Sequence, residues 1–241
     1  MTSAYRLLLL VSVGVLLALG GCSVPNNDQP RPTRGESYLR IIHASNKAPT
    51  LDILARYYNV AQIIKRDFGF LSQFPDSAYL RVESTDPVDE FGYTNLTLEG
   101  VKINALTSDT ARFVGKKVVQ LQPFGRYSVF ILNDSGAQKF FVYRDLYPQQ
   151  DTGKGQVRFV NAVEGNFSLR VESSGATTTT VPFSQATPYI AVPIGVHTFS
   201  VLDGGNIVAQ LTDVRIQDLF SYTFYMVNNT LHVVRARPTN L

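Results

Sequence analysis

Two successive parts of the chain resemble each other in sequence, and this internal repeat limits the folds that the chain can adopt. "LRIIHA" (39–44) matches "VRFVNA" (157–162), and "VQLQPFGRYSVFI" (119–131) matches "VRIQDLFSYTFYM" (214–226). Between them, "AYLRV" (78–82) matches "PYIAV" (188–192), and "GYTNLTLEG" (92–100) matches "GVHTFSVLDG" (195–204). The matches follow the same order, so the sequence predicts two similar units.

Each unit consists of about seven short alternating runs separated by turn signals, a pattern typical of an antiparallel sandwich. Twelve Tyr and 15 Phe favour strands as well. In "VHTFSV" (196–201), His197, Phe199 and Val201 share the more apolar face, which we predict to point inward. The predicted fold is all-β, with two tandem immunoglobulin-like β-sandwiches after a signal peptide.

The predicted domain organisation follows from the repeat and from composition. Residues 1–21 are the signal peptide, 22–36 a tether, 37–147 the first sandwich, 148–155 a linker and 156–241 the second sandwich. The tether contains three Pro and almost no large apolar residue, so it cannot bury enough surface to fold. Because the linker is short, we expect the sandwiches to sit end to end.

The first 22 residues have the features of a secretory signal. Arg6 precedes the apolar run Leu7–Leu19, which is shorter than the roughly 20 residues needed to span a bilayer. The following "LGGC" resembles the lipobox of bacterial lipoproteins, in which Cys22 becomes the acylated N-terminus. The alternative is an ordinary signal peptide with a chance Cys.

Lipidation of Cys22 predicts a lipid-anchored protein of the bacterial cell envelope. Several acyl chains anchor a protein firmly, whereas one gives only marginal binding. Ser23, in place of the Asp that favours inner-membrane retention, indicates the outer membrane. With Cys22 acylated, no other Cys remains for a disulfide, redox chemistry or a metal.

The charge of the chain is nearly balanced. Removing residues 1–21 takes away one charged residue, Arg6, and leaves 21 basic and 19 acidic residues. A nucleic-acid partner is not expected at such a balance.

The opening "LRIIHASNKAPTLDI" (39–53) is similar to the start of the bacterial domain-of-unknown-function family 4397. A second stretch of the chain also fits a segment of that family, at Tyr189, Val192, Pro193, Gly195, His197 and Thr198. The resemblance covers nearly all of residues 37–241. It implies immunoglobulin-like sandwiches in envelope proteins and no established activity or catalytic residues.

His43 is the first candidate for chemistry, as a general base or a metal ligand. Either role needs partners, but Asp52 belongs to the next strand, and the second unit has Asn161 at the matching position. Asn does not shuttle protons at neutral pH, although it can bind backbone groups. We therefore interpret His43 as a polar cap where a strand turns into a loop.

No other motif predicts a cofactor, a metal or a catalytic residue. His197 and His232 lie in strand patterns away from other His residues or acidic clusters. The acidic run Asp86, Asp89 and Glu90 has calcium-ligand chemistry without the spacing of an EF-hand loop. A solvated loop is the favoured interpretation.

Adjacent aromatics are the better indication of binding. Tyr57 and Tyr58 in "ARYYN" fall in a predicted hairpin turn, and tyrosine offers both an apolar face and a hydroxyl. The sequence predicts a non-enzymatic binding or structural module whose partners are the membrane, through its acyl chains, and a glycan or envelope protein. The alternatives are a carbohydrate-active accessory protein or weak hydrolase, and a subunit of an envelope assembly.

Overall fold

A computed structural model describes most of the predicted repeat region. The signal peptide, Cys22 and the tether up to residue 35 lie outside the described residues. The described ranges are 36–45, 50–57, 60–69, 71–74, 80–83, 94–102, 112–122, 125–134, 137–146 and 152–236. These residues contain strands and no helix, which confirms the all-β prediction.

The strands fall into two groups along the chain. The first group comprises β1 (Glu36–His43), β2 (Thr50–Tyr57), β3 (Val60–Gly69), β4 (Gln73–Phe74), β5 (Leu80–Glu83), β6 (Thr94–Lys102), β7 (Arg112–Leu121), β8 (Arg126–Asp134) and β9 (Ala137–Arg144). The second comprises β10 (Lys154–Asn161), β11 (Asn166–Val171), β12 (Val181–Pro182), β13 (Ile190–Pro193), β14 (Gly195–Asp203), β15 (Asn206–Ile216), β16 (Ser221–Val227) and β17 (Thr230–Ala236).

Each group builds two sheets with the same pairing scheme. In the first half, the inner sheet has the order β4-β1-β8-β9 with β5 also on β1, and the outer sheet has the order β3-β2-β6-β7. In the second half, the inner sheet is β13-β10-β16-β17 and the outer sheet is β12-β11-β14-β15. Both inner sheets contain one parallel pair, β1 with β8 and β10 with β16.

The register of the parallel pairs agrees with the sequence alignment of the two units. Leu39 pairs with Tyr127 in the first half, and Val157 pairs with Tyr222 in the second. Both tyrosine hydroxyls accept a backbone N–H from the residue five positions earlier, at 2.8 Å and 2.9 Å. That the halves are immunoglobulin-like copies of one family stays a prediction.

The outer sheet of the second half shows the predicted alternation only in part, because Ser200, predicted to face outward, is fully buried and His197, predicted to face inward, is half-buried. Phe199 and Val201 on β14 are fully buried, whereas Val196 is 57% exposed. They belong to a core between β10, β16 and the outer sheet, whose members include Phe159, Leu169, Val171, Phe199, Tyr222, Phe224 and Met226.

The two inner sheets pack face to face, so the predicted end-to-end arrangement is wrong. A second apolar cluster joins the halves and contains Ile42, Ala44, Phe130, Leu132, Val160, Tyr225 and Val227. The chain from Arg34 to Leu241 accordingly forms one compact unit. The reason lies in the central strands, which are buried on both faces and need a cover on each.

The packing also fixes the relative direction of the halves. The Arg40 side chain on β1 reaches Thr223 on β16, and the Phe130 ring lies 5.4 Å from the Tyr225 ring. In the first half, Phe130 lies two residues further along the paired parallel strands than Arg40. In the second half, Tyr225 lies two residues further along than Thr223. The strands β1, β8, β10 and β16 therefore all begin at the same end of the molecule.

Candidate functional site

The residues predicted for lipidation and binding are only partly described. Cys22 lies outside the described residues. Tyr57 is the last residue of β2 and pairs with Val60 at the start of β3, so the predicted hairpin is present. Tyr58 and the side chain of Tyr57 lie outside the described part, and their binding role stays a prediction.

His43 lies at the end of β1 and is fully buried. Its backbone N–H donates to the carbonyl of Ser72 (2.9 Å), and its carbonyl accepts the N–H of Leu71 (2.8 Å). A completely buried imidazole is not accessible to a substrate in solvent, which favours the structural interpretation.

Asn161 occupies the matching place at the end of β10 and is also fully buried. Its side-chain amide donates to the carbonyls of Gly165 (2.9 Å) and Val181 (3.1 Å), and its side-chain oxygen accepts the N–H of Val163 (3.0 Å). Asn161 therefore satisfies backbone groups of the loop that follows β10 and of Val181 on β12, which agrees with the polar cap predicted for this position.

A buried ionic cluster lies between the inner sheets. The Arg40 guanidinium donates to the hydroxyls of Ser128 (2.7 Å) and Thr223 (2.8 Å), and Arg158 donates to the same Thr223 hydroxyl (3.1 Å). Asp145, directly after β9, accepts a hydrogen bond from Ser128 (2.7 Å). Its carboxylate also pairs with Arg158 and lies 3.8 Å from the Arg40 Nε.

Sequence reasoning missed this cluster, although a signal was present. Arg40 and Arg158 occupy the same position in "LRIIHA" and "VRFVNA", inside runs that are otherwise apolar on both faces. A shared arginine in such a run indicates a buried cation, and a buried cation requires an anion or hydrogen-bond acceptors. Asp145 carried no matching signal, because Ala236 follows Arg235 where Asp145 follows Arg144.

Two tyrosines at the same interface are kept neutral by their surroundings. Burial raises the pKa of Tyr143 far above its usual value, although the nearby Arg158 guanidinium acts in the opposite direction. The Tyr143 hydroxyl donates to the carbonyl of Ser184 in the other half (3.0 Å). Burial likewise raises the pKa of Tyr225 to about 12. Both hydroxyls stay protonated at neutral pH.

A polar array of partly exposed side chains around the fully buried Ser200 crosses the second half's outer sheet. Arg170 on β11 donates twice to a Glu172 carboxylate oxygen, at 2.9 Å and 2.8 Å, and both side chains are about 30% exposed. Hydrogen bonds from Ser200 and Arg170 lower the pKa of Glu172. Gln210 on β15 donates to Ser200 (3.1 Å), so three neighbouring strands contribute to the array.

An open groove lies beside this sheet, at the end where β10 begins. It measures about 380 Å³ and is lined by Ile194, Gly195, Val196, Arg215, Ile216, Gln217 and Asp218. Ile194 and Val196 are 52% and 57% exposed. The groove walls are mostly apolar carbon, with charged groups at the rim.

His197 links two loops near the groove. One ring nitrogen lies 2.7 Å from the Ser173 hydroxyl, and the other lies 2.9 Å from the Pro193 carbonyl. Within the described ranges, no three His, Cys, Asp or Glu side chains form a group that could hold a metal ion. The same part of the chain contains no helix long and apolar enough to cross a membrane.

Comparisons with known proteins show similarity to solved β-structures. No family model and no curated protein matches the chain. A streptococcal virulence factor described as binding alpha-glucan is 14% identical, with 85% of this chain and 99% of that chain covered and a TM-score of 0.25. A family CBM26 module from Eubacterium rectale, crystallised with maltoheptaose, is 11% identical over 84% of this chain and 98% of that chain, with a TM-score of 0.22. Identities and TM-scores this low do not transfer a function.

Proposed function

We propose that the chain is a lipid-anchored protein of the bacterial outer membrane that acts as a non-enzymatic binding or structural module. The "LGGC" segment before Cys22 and the proline-containing tether support the anchor. The similarity of "LRIIHASNKAPTLDI" to domain family 4397 supports placement in the envelope. Two or more acyl chains would hold such a protein at the membrane firmly.

The observation that carries the role as a rigid binding or structural module is the buried ionic cluster between the inner sheets. Arg40, Arg158 and Asp145 are at most 2% exposed at their side chains and connect the halves through short contacts. Charges are costly to bury unless their geometry is well defined, so this interface restricts how the halves dock. A single rigid body holds its outer sheets and loops at fixed positions, which suits a spacer or a binding platform.

The anchor is tested by a Cys22→Ala substitution, with Ser23→Ala as the matched control. We expect the Cys22 variant to lose acylation and processing by the lipoprotein peptidase, while the control stays in the detergent phase. Acyl groups on the mature N-terminus should appear by mass spectrometry in the control alone. Membrane fractionation of Cys22→Ala that equals that of the wild type, together with an unmodified N-terminus in the wild type, would refute the anchor.

The non-enzymatic role is tested by a hydrolase screen against glycans, esters and peptides. The proposal predicts no turnover that depends on a single side chain. Turnover abolished by substitution of one carboxylate, with stability unchanged, would refute it and favour a weak hydrolase.

A glycan partner is a second candidate, favoured by the polar array of Arg170, Glu172, Ser200 and Gln210. The partly exposed guanidinium of Arg170 and carboxylate of Glu172, with the exposed amide of Gln210, match the donors and acceptors of sugar hydroxyls. On a glycan array, we expect Gln210→Ala to weaken any binding, while Asp203→Ala, at a nearby turn, leaves it unchanged. Equal binding by both variants would exclude this face.

A further inference from the structure

The end of the molecule where β1, β8, β10 and β16 begin is here called the tether end, because the chain leading back to Cys22 joins β1 there. The N–H of Tyr38, near the start of β1, donates to the Gly125 carbonyl just before β8. In the second half, the N–H of Gln156, near the start of β10, donates to the Phe220 carbonyl just before β16. The loops that precede these strands in the two halves therefore lie at the same end of the molecule.

Exposed apolar side chains collect at the tether end. Leu146 is 64% exposed and follows Asp145, whose N–H donates to the carbonyl of Arg126 at the start of β8. Ile194 is 52% exposed and is held there by a hydrogen bond from its N–H to the Gly153 carbonyl. Val196 (57% exposed) lines the groove together with Ile194, and Leu219 (38% exposed) directly follows the lining residue Asp218 in the chain.

Leu219 also has an unusual backbone. Its φ is +60°, a left-handed conformation that costs free energy for a branched side chain. The turn containing Leu219 is held by Asp218, whose carboxylate accepts the Gly153 N–H at 3.0 Å. The fold thus maintains an exposed leucine in a strained turn beside the groove.

Cations surround this apolar surface. Arg215 lines the groove, and Lys154 begins β10 beside it. Arg235 donates to Gln217 (3.1 Å) and lies over the Phe220 ring at 5.7 Å. In the first half, Arg126 and Arg144 occupy the same end.

Among the residues that the structure describes, acidic side chains are fewer than basic ones around the groove. Asp218 lies at its rim, and Asp213 lies two residues before Arg215 on β15. Glu36 on β1 pairs with Glu83 on β5 at the same end of the molecule, in the first half. Apolar side chains ringed by Lys and Arg are the composition of a surface that rests on phospholipid headgroups.

We propose that the tether end is a second membrane contact, in which Ile194, Val196 and Leu219 enter the headgroup layer of an anionic bilayer while Arg215, Arg235 and Lys154 face lipid phosphates. The inference rests on the proposed lipid anchor, which keeps this end near the bilayer. The tether of residues 22–36 spans about 50 Å at full extension. An anchored surface is at high effective concentration, so a weak contact suffices to orient the molecule.

The proposal is tested with acylated full-length protein reconstituted in phosphatidylcholine vesicles, with and without phosphatidylglycerol. A fluorophore is attached at Val196→Cys or at the matched control Ile207→Cys. Ile207 has a similar exposure of 51% and lies at the opposite end of the outer sheet. The acylated thiol of Cys22 does not react, so each variant carries one label.

Spin-labelled lipids should quench the fluorophore at position 196 and not the one at position 207, most strongly with phosphatidylglycerol present. Salt near 1 M should reduce the difference, because the Debye length falls to about 3 Å. Arg215→Gln should lower the membrane-facing population about fivefold, the usual effect of one cation near an anionic surface. Vesicle flotation with equal quenching at both positions would overturn the contact and leave the anchor standing. Failure to float would overturn the anchor itself.

Discussion

Asp145→Ala should remove the main ionic link between the halves. The substitution deletes the acceptor of the Ser128 hydrogen bond and the carboxylate that pairs with Arg158 and lies near Arg40. Both guanidiniums would stay in a site that is at most 2% exposed. Breaking a buried ion pair by removing one partner costs about 3–5 kcal/mol, because the remaining charge is left in a poorly solvated place.

The assay is equilibrium unfolding in urea, followed by tyrosine fluorescence and circular dichroism. We expect the free energy of unfolding to fall by about 3–5 kcal/mol, while an exposed carboxylate substitution, Asp203→Ala, changes it by less than about 0.5 kcal/mol. Adding Arg158→Met to Asp145→Ala should restore part of the loss, since the methionine carries no charge that needs a partner. A loss below about 1 kcal/mol for Asp145→Ala, or no coupling in the double-mutant cycle, would show that Asp145 does not hold the buried arginines in place.

Three further outcomes are expected. The pKa of Tyr225 is raised from 10.0 to about 12, so its contribution is full below pH 10 and is lost as the pH rises through 12. Tyr225→Phe should remove about 3 kcal/mol of the alkaline loss in urea titrations at successive pH values. Burial lowers the pKa of His232 below 6.5. Its contribution to the free energy of unfolding is therefore full above pH 6.5 and is lost as the pH drops through the folded pKa. His232→Gln should flatten this decrease of stability at acidic pH, and an unchanged decrease would contradict the prediction. Asn161→Ala should lower the free energy of unfolding by about 1–3 kcal/mol for each buried backbone group left unpaired. It should also speed hydrogen exchange at the Val163 amide. Unchanged exchange at Val163 would show that the Asn161 side chain does not hold the loop.

Local pairing was predictable because it depends on patterns that repeat along the chain. Tyr127 and Tyr222 were aligned by sequence alone, and both accept a backbone hydrogen bond from the residue five positions earlier. Phe199 and Val201 were placed on the inward face by alternation, since successive side chains of a strand point to opposite sides. Both are fully buried in the core cluster, but Ser200 between them is fully buried as well, which alternation alone did not predict.

The docking of the halves was not predictable in the same way. Alternation in "LRIIHA" separates Leu39 and Ile41 from Arg40 and Ile42, and the structure buries both faces. The sequence indicates that the second face needs a cover, but the repeat contains no information about which surface provides it. Asp145 was missed for a related reason, because it interacts with Arg158 through space and lies in a loop that looks solvated in sequence.

The candidate site was predictable only as far as local motifs extend. The polar cap at Asn161 followed from its position after a strand, and its three backbone contacts agree with that role. The groove around Ile194 and Arg215 had no sequence signal, because it is formed by residues from two distant segments.

The most direct test of the account is native-state hydrogen exchange in the central strands β8 and β16. Both strands are buried on both faces, one in each half, and the shared interface makes them parts of one cooperative unit. Face-to-face packing predicts that their slowest amides open with the same free energy and the same dependence on denaturant, and that Asp145→Ala lowers both opening free energies together. Two separate opening free energies, with only one of them sensitive to Asp145→Ala, would contradict the face-to-face packing of the halves.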